Sequence, residues 1–67
     1  MDQINYIKHS IYSSNEPMNQ ITAMDALASY RNQAIDSITE IINSHGIDNQ
    51  VKEHGLKIIE NIRKNSS

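Results

Sequence analysis

Cysteine, tryptophan and phenylalanine are missing from this 67-residue chain, and there are one proline, two glycines and three tyrosines. The lack of cysteine excludes disulfide frameworks, thiol chemistry and every cysteine-ligated metal site together. Domains this short bury only about 60% of their unfolded surface, and disulfides or structural zinc are the usual remedies. Stability here must come from close helix packing, self-association or a binding partner. Without large aromatic rings the core has to be aliphatic, and twelve isoleucines are available for it.

Basic residues are also few: six Lys and Arg are scattered along a chain of net charge −2. Binding to a duplex by phosphate neutralisation needs such residues in clusters, so nucleic acid is a secondary expectation. No apolar run approaches the roughly 18 to 20 residues of a membrane span, and the opening "MDQINYIK" lacks the charged and hydrophobic regions of a signal peptide. A cytoplasmic protein with no membrane segment is expected.

What is present is helical patterning. In residues 2–13, Ile4, Ile7 and Ile11 fall on one face and Asp2 can cap the start. Pro17 suits the first position of a second helix over 17–30, with Glu16 at its cap and Ala23, Met24, Leu27 and Tyr30 inward. Asn32 can cap a third helix over 33–44, striped by Ala34, Ile35, Ile38, Ile41 and Ile42. Gly46 is the left-handed residue that follows it. Asp48 can cap a fourth over 49–63, which buries Val51, Ile58, Ile59 and Ile62 before a polar tail, 64–67. Strand-like alternation is absent, so one all-α domain is expected.

The four helices repeat as two pairs. Ile4, Ile7 and Ile11 recur 31 positions later as Ile35, Ile38 and Ile42. The second helix recurs at 32 positions in the fourth, with Ala23 over Gly55, Met24 over Leu56, Leu27 over Ile59, Tyr30 over Ile62 and Arg31 over Arg63. A glycine within a helix costs about 1 kcal/mol relative to alanine. In the alanine slot of the other pair, Gly55 predicts a site where two helix backbones approach closely. On that reading Gly55→Ala is neutral or mildly stabilising, and Gly55→Leu costs about 1 to 3 kcal/mol by overpacking.

The segment "VKEHGLKIIENIR" resembles the helix of HEAT-like repeats at Val51, Lys52, Gly55, Leu56, Ile59 and Ile62, and "AMDALASY" carries part of the same pattern at Ala23, Met24, Leu27 and Tyr30. The spacing is shorter than the roughly 40 to 47 residues usual for HEAT, and is similar to the short repeats of phycobilin lyases and bacterial scaffold proteins. The resemblance implies two antiparallel HEAT-like helix pairs that bind along their surface, and no chemistry. The alternative architecture is a closed four-helix bundle.

Chemical constellations are sparse. His9, His45 and His54 lack the spacing that places two histidines on one helix face, so no metal or cofactor is expected. Asp36 and Glu40 share a face but form no recognisable acid–base site, and with only two glycines there is no phosphate loop. No catalytic residue is assigned, and the chain reads as non-enzymatic. Arg31, Arg63 and Lys64 fall near helix C-termini, where positive charge is favoured by about 0.3 to 1 kcal/mol.

The leading functional expectation is a small protein–protein interaction or adaptor module, a homodimer or higher oligomer, with a protein partner of unspecified identity. In the repeat reading Met24 and Ala26 have helices on both sides, whereas Leu56 and Ile58, with Ile62 at the edge, have no following helix to cover them. These three are the expected partner-binding residues. The alternative is a small nucleic-acid-binding regulator that acts as a dimer through a helix-turn-helix-like pair in 17–44, distinguishable by a steep salt dependence.

Overall fold

Asp2 starts the first helix, α1 (Gln3–Ser13), by accepting a hydrogen bond from the Ile4 amide at 3.0 Å. The computed structural model describes residues 2–66, except for the side chain of Ser66. Pro17 opens α2 (Pro17–Ala28) at its first turn, and Glu16 at the cap makes no side-chain capping bond. A 3₁₀ turn (Arg31–Ala34) leads into α3 (Ile35–Ile42). Asp48 caps α4 (Asn49–Ser66), its carboxylate accepting from the Gln50 amide at 2.9 Å. Gly46, in the connection before α4, has φ +87°, a conformation that suits glycine. Regular structure among the described residues is entirely helical.

Four boundaries depart from expectation, one of them the end of α3, which falls at Ile42 rather than residue 44. The second helix stops at Ala28 rather than residue 30, because Arg31 takes up a left-handed backbone with φ +53° and turns the chain. Asn32 therefore lies inside the 3₁₀ turn instead of capping α3, which starts at Ile35 without a side-chain cap. The polar tail is not a tail through Ser66: α4 continues to that residue, with no glycine or proline to stop it and with Arg63 and Lys64 in its last turn. Ser67 lies outside the described residues.

Two layers of helix form around an isoleucine-rich core of Ile11, Met24, Leu27, Ala34, Ile38, Ile41, Val51, Ile58, Ile59 and Ile62. Consecutive helices pack as α1 with α2 and α3 with α4, and the two pairs meet as α2 with α4 and α1 with α3. Lys8 reaches Glu40 at 3.4 Å and Tyr12 reaches Ser44 at 2.9 Å, each pair 32 residues apart. A constant difference marks neighbours running in the same direction; antiparallel neighbours would hold the sum of the numbers constant. The starts of α2 and α4 likewise share a surface depression, through Pro17 and Asp48. The Cα extent of 17 Å in the thinnest direction suits two layers with axes about 8 to 10 Å apart. A radius of gyration of 10.9 Å matches the roughly 11 Å of a compact chain this long.

Gly55 is buried, and the reason differs from the expected backbone crossing. A β-carbon built there would stand 2.6 Å from Cγ2 of Ile42, and 3.3 Å from both Cγ2 of Ile38 and Cε of Met24. Side-chain methyl groups from α3 and α2, not a second backbone, occupy the space.

Candidate functional site on the last helix

At 3.6 residues per turn, Leu56 and Ile58 point about 160° apart around α4, while Ile58 and Ile62 lie within about 40° of each other. The three residues expected to form one contact surface therefore divide. Ile58 and Ile62 are only 8% and 5% exposed and belong to the chain's own core, a correction to their expected position on an uncovered face. Leu56 is 49% exposed. Residues two apart on a helix cannot share a face, and this is why the grouping fails. Ala26, expected to be covered on both sides, is exposed as well.

The remaining edges of Ile58 and Ile62 line a shallow groove at the C-terminal ends of α2 and α4. Its walls are Ala28, Ser29 and Arg31 on one side and Asn61 and Asn65 on the other, around about 370 Å³. The groove follows from helix length: α4 has 18 residues and α2 has 12, so α4 is longer by about 9 Å at 1.5 Å per residue. Among the described residues, the one non-glycine residue with positive φ stands at its lip. A left-handed backbone at a non-glycine residue costs about 1 to 2 kcal/mol, and Arg31 adopts one. The Arg31 side chain is exposed and, among the described residues, has no hydrogen bond or ion pair.

Two sets of polar contacts tie the pairs together on opposite sides. Across α2 and α4, His54 Nε2 lies 2.6 Å from Asp25 Oδ1. Across α1 and α3, the Tyr12 hydroxyl donates to Glu40 Oε2 at 2.9 Å, and Lys8 adds an ion pair to the same carboxylate at 3.4 Å. The Tyr12 bond, followed by that of Lys8, holds the Glu40 carboxyl below the usual glutamate range. Partial burial raises the Tyr12 phenol above its ordinary value, with the acceptor Glu40 adding to the effect and Ser44 opposing it.

Gln20 is the functional-looking polar residue that sequence reasoning missed. It is 6% exposed, and its Nε2 donates to the carbonyls of Ile11 at 2.9 Å and Ser14 at 3.0 Å, closing the C-terminal end of α1. Its role is structural. No group of three or more His, Cys, Asp or Glu among the described residues could hold a metal ion. Among the described residues no helix is long and apolar enough to cross a membrane. No family model matches this chain, and no curated protein or solved structure matches it significantly.

Proposed function

We propose that this chain is a small non-enzymatic interaction module, built as two stacked HEAT-like helix pairs, that self-associates through the Leu56 flank of α4. One observation carries the reading. Met24 and Leu56 occupy equivalent positions 32 residues apart; Met24 is fully buried, its Cε reaching the Gly55 position of α4, whereas Leu56 is half exposed. The parallel course of α1 with α3 supports stacked pairs over an up-and-down bundle, whose neighbours alternate in direction. Full burial of a leucine is worth about 1.5 to 3 kcal/mol, and Leu56 is already half covered, so each copy gains about half of that; the rest of the roughly 8 kcal/mol of a micromolar dimer comes from the surface around it.

Analytical ultracentrifugation tests it. The wild-type chain is expected to sediment as a dimer or larger in the micromolar range. Leu56→Asp is expected to sediment as a monomer with its helical circular dichroism retained. A wild-type monomer at every concentration, or an aspartate variant that stays associated, overturns the proposal.

A further inference from the structure

The groove at the ends of α2 and α4 lies on the flank of α4 away from Leu56, so it stays open when the Leu56 face is covered. Its floor is apolar, from Ala28, Ile58 and Ile62, and its rim carries the Ser29 hydroxyl and the Asn61 and Asn65 amides. Among the described residues Arg31 is the one charged side chain lining it, in a chain of net charge −2. Two observations single out that arginine. Its backbone is left-handed, a conformation in which glycine or asparagine carries a smaller penalty. Its guanidinium is exposed and has no partner among the described residues. Strain retained at a cleft, with an unpaired planar cation beside it, is the pattern of a recognition position.

We propose that this groove receives an acidic amphipathic helix of a protein partner. Arg31 pairs with a carboxylate of that helix, and two apolar side chains one turn apart rest on Ala28 and on the narrow exposed edges of Ile58 and Ile62. Charge complementarity selects the occupant: among the described residues no Asp or Glu side chain lines the groove, and Arg31 can give a carboxylate two parallel charge-assisted bonds. The negative end of the α2 dipole draws on the same guanidinium, but it supplies no such directed pair. An open groove of about 370 Å³ leaves a small ligand largely in water, whereas small-molecule sites enclose about 70 to 90% of their ligand. A helix brings a surface of its own to cover the rim. A second copy of this chain fits poorly, since its exposed apolar residues, Tyr6, Tyr12, Met18 and Leu56, do not place two at one turn on an acidic face.

The test is a nuclear magnetic resonance titration of the full chain with two synthetic helical peptides. One carries two leucines a turn apart flanked by glutamates, and the other has lysine at each glutamate. The acidic peptide is expected to shift the amides of Ser29, Arg31, Asn61 and Asn65 and to bind about tenfold more tightly than the basic one, the scale of one good charge-assisted contact. Arg31→Glu should reverse the preference. Arg31→Gly, which removes the cation and relieves the backbone, should weaken the acidic peptide about tenfold while the melting temperature holds or rises. Equal binding of both peptides, shifts centred on Leu56, or full binding by Arg31→Gly overturns the proposal. So does octanoate producing the same shifts as tightly as the peptide, which would make the site one for free amphiphilic carboxylates. The self-association reading is judged separately: Arg31→Glu should sediment like wild type, and Leu56→Asp should bind the acidic peptide normally.

Discussion

Cγ2 of Ile42 stands 2.6 Å from the point where Gly55 would carry a β-carbon, closer than a real Cβ contact comes. That methyl is the β-branch of an isoleucine in α3, so it moves only if χ1 leaves its preferred helical well or the backbone shifts. The steric cost opposes the helix-propensity gain of alanine, and the two must be compared directly.

Overpacking costs about 1 to 3 kcal/mol, and the propensity gain is about 1 kcal/mol. Gly55→Ala is therefore expected to destabilise by on the order of 1 kcal/mol, and Gly55→Leu by more. This revises the neutral outcome expected from a backbone crossing. Urea denaturation measures both, and in an Ile42→Ala background Gly55→Ala should become neutral or stabilising. A single Gly55→Ala variant more stable than wild type would show that the Ile42 methyl yields without cost.

Gln20 joins two carbonyls at the end of α1 from inside the fold. Gln20→Ala should cost about 1 to 3 kcal/mol, because the Ser14 carbonyl loses its Gln20 partner and the Ile11 carbonyl is left with the Ser14 amide at 3.3 Å. Gln20→Glu should cost more at pH 7, because a carboxylate would face the Ile11 and Ser14 carbonyl oxygens, and it should recover on acidification as it gains a proton. Melting curves at pH 7 and pH 4 separate the two variants. Equal stability of Gln20→Glu and wild type at pH 7 would mean that these bonds contribute nothing.

The Glu40 carboxyl is held below its ordinary value of 4.5, first by the Tyr12 bond and then by Lys8. A depressed folded-state value means that its stabilisation is present above about pH 4.5 and is lost as pH falls through the lower folded value. Tyr12 behaves oppositely. Its raised value means a contribution present below about pH 10 that is lost as pH climbs through the folded value. Thermal melts from pH 7 to pH 3 should fall less steeply for Glu40→Gln than for wild type, and Tyr12→Phe should flatten the alkaline limb. Parallel curves for the Gln variant and wild type would count against the network.

The readable parts of this fold are those fixed by local chemistry. Asp2, Pro17 and Asp48 mark helix starts because their side chains or ring act within one turn. Ile38, Ile41, Val51 and Ile59 are buried as their spacing demands. Arg31 was not readable, because nothing in its residue type announces a left-handed backbone. Gln20 was not readable either, since its value depends on where the end of α1 lies in space. The groove escaped for a related reason: it arises from unequal helix lengths, and the early stop of α2 depends on Arg31.

The packing of each helix on its neighbour in sequence also bears on the order of events during synthesis. Each helix pair joins neighbours in sequence, so it can form quickly from local contacts, but the contacts between pairs span about 30 residues. Met24 packs near Gly55, which emerges from the ribosome more than half a minimal domain later. A first pair formed before Gly55 is available would leave that methionine without its α4 contact, and exposed apolar surface of this kind favours aggregation.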